Sequence, residues 1–111
     1  TPGGGTSFLG TIREPGLFLR RESAAYPDLR ITKNSFLIGK KRDAVDGWLK
    51  ARGISRIHSR ISREEDCYYL TDLNSTNGTY LNGGRLEVNE KARLRPGDCV
   101  AFADVRYVVE G

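Results

Sequence analysis

Short apolar runs alternate with turn signals along almost the whole chain, and few folds accommodate that alternation. The runs fall at residues 8–12, 17–19, 29–31, 36–38, 59–63, 67–73, 79–81, 100–102 and 105–109. Pro-Gly and Asn-Gly pairs lie between them, and Asn-Gly is a strong signal for a tight hairpin. Many short strands at spacings of about 8–12 residues are typical of a β-sandwich or barrel. The sequence therefore predicts an all-β fold.

The length of the chain suits one domain. Its 111 residues are enough for a single hydrophobic core without disulfides or a structural metal. Residues 1–7 open with a glycine-rich stretch and are interpreted as a flexible linker tail, followed by one domain over residues 8–111. The best helical window, residues 45–51, is short and carries Gly47 in its middle, so we expect no helix there. The start at Thr1, in a chain without Met, leads us to expect a piece of a longer protein.

Basic charge is concentrated in one stretch. Residues 40–63 contain eight Lys or Arg against two Asp, although the whole chain carries only +4. This concentration favours an anionic partner such as nucleic acid, acidic lipid or a phosphorylated group, unless it is simply a solvated basic face. A nucleic-acid-binding domain would interleave aromatic residues with the cations, and Trp48 alone does so. The longest apolar run, residues 99–103, is far below the roughly 20 residues that span a bilayer. We therefore expect no nucleic acid and no membrane insertion.

Few residues are available for metal or redox chemistry. Cys67, Cys99 and the single histidine, His58, cannot make a four-ligand zinc site without carboxylates. We expect two buried free thiols in a reducing compartment, hence a cytoplasmic protein, with no metal and no cofactor. An enzyme is not expected, because the sequence shows no carboxylate pair, metal cluster or glycine-rich phosphate loop.

In a β-sandwich the loops carry function, and three loops are unusual here: residues 40–46, 52–58 and 73–79. Ser55 and His58 could form a nucleophile–base pair, but nothing in the sequence nominates an orienting carboxylate or an oxyanion hole. A lone His beside an apolar strand is more often a buried group that holds a loop. The third loop is rich in turn and cap formers, which could satisfy its own backbone or bind the backbone of a ligand.

Taken together and in order, three motifs resemble the forkhead-associated (FHA) domain. They are Gly39-Lys40 at the end of a strand, Ser55-Arg56-Ile57-His58, and Asp72-Leu73-Asn74-Ser75-Thr76-Asn77-Gly78-Thr79 followed by Asn82-Gly83. The last motif is the most specific. The resemblance covers roughly residues 29–109 and implies a β-sandwich of about eleven short strands with binding loops at one end.

The resemblance implies recognition of phosphothreonine in a partner protein or peptide, without catalysis, in Ser/Thr-kinase signalling. By similarity, the phosphate would be bound by Lys40, Ser55, Arg56 and Thr76. Asn77 would bind the peptide backbone, and Asn82 would help to place that loop. Gly39, His58 and Gly78 would be structural. In the family, specificity often depends on the third residue after the phosphothreonine, and Arg52 and Gly53 lie where they could contact it.

Lys40 departs from the family pattern, which has Arg at that position. The lysine ammonium is a point charge on a flexible side chain and cannot make the bidentate contact with phosphate that a guanidinium makes. Arg56 or Arg42 could supply the missing bidentate contact. The alternative is a weakened phosphate site in a domain that binds unphosphorylated protein.

Thr6 lies just after the glycine-rich stretch, with Leu9 three places on. Some bacterial FHA proteins carry an upstream threonine that is phosphorylated and then captured by the module itself or by a neighbour's. We therefore hold self-association through phosphorylated Thr6 as a hypothesis, against the simpler interpretation of Thr6 as linker.

Overall fold

The structure, a computed structural model, describes residues 16–111. Within that range the chain forms eleven strands and no helix. The strands are β1 (Leu17–Arg21), β2 (Leu29–Ile31), β3 (Ser35–Gly39), β4 (Gly47–Trp48), β5 (Ser59–Glu64), β6 (Cys67–Asp72), β7 (Thr79–Leu81), β8 (Gly84–Arg85), β9 (Lys91–Leu94), β10 (Cys99–Phe102) and β11 (Val105–Glu110). The predicted all-β sandwich is confirmed. The predicted linker tail, the strand at 8–12 and Thr6 lie outside the described residues.

Two sheets make up the sandwich. One has five strands in the order β9-β6-β5-β3-β4, antiparallel except for the short parallel pair β3–β4. The other has six strands in the order β2-β1-β11-β10-β7-β8, all antiparallel. No helix in residues 16–111 is long and apolar enough to cross a membrane.

Alternating inward side chains of both sheets form the core. Ile38, Ile61 and Leu70 from the five-stranded sheet are fully buried. They belong to one hydrophobic cluster with Phe102 and Tyr107 of the six-stranded sheet, whose rings pack edge to face 5.9 Å apart. In β6, Leu70 is fully buried while Tyr69 is half-buried.

Three short strands, β4, β8 and β9, were not predicted. Only Ala92 and Leu94 of β9 are shielded from solvent, so the strand has too few apolar residues for its period to be recognised. Strands β4 and β8 have two residues each and are too short to show a period of their own.

The cysteines are free, as expected, but their predicted burial is wrong. Cys67 is only half-buried and Cys99 is exposed. Cys99 follows the Pro96-Gly97 turn at the start of β10, where its side chain points away from the core while that of Val100 points into it. Alternation along the strand overrides the general preference of cysteine for the interior.

Candidate functional site

The three unusual loops meet at one end of the sandwich. Residues 40–46 follow β3, residues 49–58 follow β4, and residues 73–78 follow β6. Backbone hydrogen bonds join them: Lys40 N donates to Ser55 O at 3.0 Å, and Leu73 N donates to His58 O at 3.0 Å. Residues far apart in sequence are thereby brought into one cluster.

Gly39 allows the first two loops to touch. A Cβ built on this residue would lie only 2.1 Å from the carbonyl oxygen of Arg56. That carbonyl accepts hydrogen bonds from the backbone amides of Lys40 and Lys41, at 3.0 and 3.1 Å. A side chain at Gly39 would displace the carbonyl and break both bonds. Close approach of backbone, not a special φ angle, accounts for the glycine here.

Trp48 holds the basic loop from its other side. Its Nε1 donates to the carbonyl of Lys40 at 2.9 Å, and the guanidinium of Arg42 lies 4.9 Å from its ring centroid. This geometry is a cation–π contact. Lys41 is paired with Asp43 at 3.0 Å. Arg42, one of the two candidates for a bidentate phosphate contact, is therefore engaged with Trp48.

His58 is fully buried, and both ring nitrogens are satisfied. Its Nδ1 accepts from the Ser55 backbone amide at 3.1 Å, and its Nε2 donates to the Gly78 carbonyl at 2.8 Å. Burial lowers the pKa of His58, although the Gly78 carbonyl and Asp72 oppose the shift. Since Nδ1 faces the amide of Ser55 and not its hydroxyl, the two residues are not arranged as a nucleophile and its base.

Asp72 organises the third loop. Its carboxylate accepts from Ser75 Oγ at 2.5 Å, Ser75 N at 3.2 Å and Thr79 Oγ1 at 2.7 Å. Burial alone would raise the pKa of Asp72, but these hydrogen bonds and nearby His58 hold it below its ordinary value. Ser75 Oγ in turn accepts from the Gly78 amide at 3.0 Å. A buried, ionised carboxylate thus fixes residues 72–79 in a single turn.

The four predicted phosphate ligands are neighbours within this network. Thr76 N donates to Ser55 Oγ at 3.0 Å, which leaves the Ser55 hydroxyl hydrogen available to a second acceptor. The side chains of Lys40, Arg56 and Thr76 are exposed. Within residues 16–111, no carboxylate lies within 4.0 Å of Lys40 or Arg56. Hydrogen bonds therefore bring two cationic residues and two hydroxyl-bearing residues together at the loop end.

The two asparagines have different surroundings. Asn77 is exposed, and its Nδ2 donates to Gly53 O at 2.9 Å, so that its Oδ1 faces away from that bond. Asn82 lies at the other end of β7, with a φ of 52°. Its Oδ1 accepts from Cys99 N at 2.9 Å, and its Nδ2 donates to Asp98 at 3.2 Å. The structure brings Asn77 to the cluster and places Asn82 away from it.

Sequence reasoning missed a fourth component, the β10–β11 turn at Ala103 and Asp104. Ala103 N donates to the Gly78 carbonyl at 2.9 Å, the same oxygen that His58 Nε2 contacts. The two-residue gap between the apolar runs 100–102 and 105–109 was the available signal, since such a gap predicts a hairpin. Gly78 itself has a φ of 91° and lies under the side chain of Arg85. The Gly78 carbonyl therefore accepts hydrogen bonds from the β10–β11 turn and from His58, and links both to the third loop.

Comparison with known proteins places the chain in a family. The FHA domain family model matches residues 36–103, more than half of the chain, and the chain belongs to that family. Protein FraH from Nostoc sp. is 39% identical over 71 residues, which are 59% of this chain and 25% of FraH. The chain spans a quarter or less of the curated relatives it matches.

Solved structures show the same fold. One solved FHA domain comes from a structural and functional analysis of phosphothreonine-dependent FHA domain interactions. It aligns with this chain with a TM-score of 0.77 and 26% sequence identity, and the alignment covers 86% of this chain and 96% of that one. The FHA domain of FhaA, solved in complex with the intracellular domain of Rv3910, has a TM-score of 0.75 and 26% identity. These alignments cover 85% of this chain and 99% of the FhaA domain.

Proposed function

We propose that this FHA domain is a non-enzymatic module that recognises phosphothreonine in a partner protein, as part of a longer cytoplasmic protein in Ser/Thr-kinase signalling. The observation that carries the proposal is the set of hydrogen bonds that joins Lys40 to Ser55 and Arg56 and joins Ser55 to Thr76, in a cluster whose two cationic side chains are exposed. A phosphate group near pH 7 is close to a dianion with three strong acceptor oxygens. Two cations would balance that charge, and the two hydroxyl groups would add further donors.

Preorganisation makes the cluster suitable for binding. The backbone of Lys40 is bonded to residues 55 and 56, and Ser55 is bonded to Thr76. Little backbone ordering is left to be done when the ligand arrives, which reduces the entropic cost of association. Hydrogen bonds to charged groups then contribute about 1.5–3 kcal/mol each.

Arg56 is our candidate for the bidentate phosphate contact that Lys40 cannot make. Its side chain is exposed and its backbone carbonyl accepts from the Lys40 amide, whereas Arg42 is stacked on Trp48. A guanidinium offers the fork geometry that matches two phosphate oxygens, and Lys40 would add a second charge. The pair would replace the single arginine of the family pattern.

Asn77 and the groove beside it are proposed to bind the peptide around the phosphothreonine. The groove, about 510 Å³ in volume, is lined by Arg52, Gly53, Asn77, Tyr80, Ala103 and Asp104. Asn77 Oδ1 would accept from the peptide backbone, and the third residue after the phosphothreonine would enter the groove. We assign Asn82 an indirect part, since its amide holds the end of β7 against residues 98 and 99.

Binding measured with matched peptides tests the proposal. One sequence would be titrated by calorimetry as its threonine, phosphothreonine and phosphoserine forms, with single-stranded DNA as a competitor. We expect only phosphorylated forms to bind well, with phosphothreonine strongest and DNA without effect. Equal affinity for the threonine and phosphothreonine forms would favour the phosphate-independent alternative. Displacement by DNA and collapse of binding in moderate salt would indicate a generic polyanion site.

A further inference from the structure

A second groove lies on the outer face of the six-stranded sheet. It has a volume of about 410 Å³, and its walls include Glu22, Tyr80, Cys99, Ala101 and Arg106. It shares Tyr80, Ala103 and Asp104 with the groove beside Asn77. The two therefore form one continuous depression that runs from the loop end onto the sheet.

The register of the strands explains the depression. Ala101 is paired with Tyr80 on one side and with Arg106 on the other, so all three side chains stand on the same outer face. The methyl group of Ala101 lies between the long side chains of Tyr80 and Arg106, which leaves a channel above it. Tyr80 also donates from its hydroxyl to the Asn77 carbonyl at 3.2 Å, so one ring forms part of both grooves.

The second groove carries more negative than positive groups, unlike the phosphate cluster. Its walls hold the carboxylates of Glu22 and Asp104 and the single cation of Arg106, and within residues 16–111 neither carboxylate has a cationic group within 4.0 Å. The channel floor, formed by Ala101 and Ala103, is apolar and half-buried. An extended segment with an apolar side chain and a following basic residue would complement this surface.

We propose that the second groove binds the segment of the phosphorylated partner that lies beyond the third residue after the phosphothreonine. This inference rests on the proposed function, because the segment would be continuous with the peptide held at Asn77. The bound segment would run from Ala103 to Cys99, which are four residues apart along the chain. At about 3.3 Å per residue, a chain running over the outer face of β10 would cover roughly 13 Å and place its seventh residue after the phosphothreonine near Cys99.

Cys99 makes the route testable with the natural protein. A phosphothreonine peptide would carry a cysteine at the seventh position, activated as a mixed disulfide with thionitrobenzoate. The Cys99 thiolate attacks the peptide sulfur, forms the protein–peptide disulfide and releases thionitrobenzoate, which is followed by its absorbance. We expect this peptide to react at Cys99 at least about ten-fold faster than one activated at the seventh position before the phosphothreonine, because binding raises the local concentration.

Two controls define the site of reaction. Cys99→Ser should remove the fast reaction, while Cys67→Ser should leave it, because Cys67 lies on the other sheet. The unphosphorylated peptide should react slowly at either position. Equal rates for the two activated peptides, or a fast rate that does not depend on the phosphate, would overturn the inference.

A second measurement separates this inference from the proposed function. A peptide ending at the third residue would be compared with one extended by six residues that include an apolar and a basic side chain. We expect the extension to raise affinity about ten-fold, and Ala101→Arg, which fills the channel, to abolish that gain. If the short peptide binds and the extension adds nothing, the inference fails alone; if the short phosphopeptide does not bind, the proposed function fails with it. Dimers that form without peptide and dissociate in Ala101→Arg would mean that a second copy occupies the groove, and would also overturn the inference.

Discussion

The two ends of the sandwich are built by different means. At the binding end, His58 and Asp72 are buried at 0% and 2% exposure, and the hydrogen bonds of their side chains hold the loops in place. At the opposite end, charged side chains lie at the surface, as in the Arg63–Asp66 pair of the β5–β6 turn, where Arg63 is half-buried and Asp66 is exposed. Exposed pairs contribute about 0–1 kcal/mol each, whereas removal of one partner from a buried network costs more.

This difference indicates which end has to keep one conformation. The far end needs only to turn the chain, and residues such as Gly97, with a φ of 92° and no atom within 4 Å of a built Cβ, are sufficient. The binding end holds exposed donors in fixed positions by means of a buried polar scaffold. Matched substitutions at the two ends test whether they differ in this way.

The largest effect is expected from a substitution at Gly39. Gly39→Val should destabilise the fold by about 3 kcal/mol or more and abolish phosphopeptide binding, because the new side chain meets the Arg56 carbonyl. Chemical denaturation and a binding titration measure the two effects.

Gly97→Ala is the matched control for Gly39→Val at the far end. It should cost only about 1 kcal/mol, from its left-handed φ, and leave binding unchanged. Equal losses of stability at the two glycines would contradict the proposed difference between the ends.

Lys40→Ala should cost about 1.5–3 kcal/mol of phosphopeptide binding, the range for hydrogen bonds to charged groups, with little change in stability. Lys40→Arg should keep or improve the affinity, because a guanidinium at this position can make a bidentate contact with the phosphate. Arg95→Ala, in the β9–β10 turn at the far end, is the control and should leave binding within error. Loss of binding in Arg95→Ala but not in Lys40→Ala would move the phosphate site to the other end.

The third prediction concerns pH. Because burial lowers the pKa of His58, the unfolded chain takes up this proton first as the pH falls below about 6.5. The free energy of unfolding should therefore decrease from pH 7 to pH 5, by at most about 1.4 kcal/mol per pH unit. The contribution of Asp72, whose pKa is lowered from 3.8, is lost only at more acidic pH.

Urea denaturation across this range tests the assignment, since His58 is the single histidine. His58→Gln should be less stable at pH 7 and should lose the slope between pH 5 and 7. Glu64→Gln, at the exposed last residue of β5 at the far end, should keep this dependence on pH. A slope that persists in His58→Gln would assign it to another group.

The smallest effect is expected from one methyl group of the ligand. Phosphothreonine should bind about four-fold better than phosphoserine, since burial of a methyl carbon contributes roughly 0.8 kcal/mol. Asn77→Ala should weaken both peptides by similar factors, because Asn77 is proposed to hold the peptide backbone. Competition binding with the two peptides measures both ratios, and a preference for phosphoserine would exclude a methyl pocket.

Local sequence predicted the long strands and the loop cluster. Alternation in segments such as residues 67–73 and the Asn77-Gly78 turn signal are properties of neighbouring residues. The order of the loop motifs indicated the family. The short strands β4 and β8, by contrast, have two residues each and show no alternation of their own.

Contacts made by the folded loops account for what was missed at the site. The sequence does not indicate that the ring of Trp48 covers Arg42, and nothing near Ala103 indicates that its amide donates to the Gly78 carbonyl. The two polar atoms of the Asn82 side chain are likewise held by hydrogen bonds to residues 98 and 99. These contacts become visible only when the strands are paired.

A thermodynamic cycle on Lys40 and the phosphate tests the central claim most directly. Calorimetry would give the affinities of the natural protein and of Lys40→Ala for one peptide with and without its phosphate. If Lys40 binds the phosphate, the substitution should weaken the phosphorylated peptide at least about ten-fold, or roughly 1.4 kcal/mol, and leave the weak binding of the unphosphorylated peptide unchanged. Equal losses for the two peptides, with no coupling between Lys40 and the phosphate, would contradict the account.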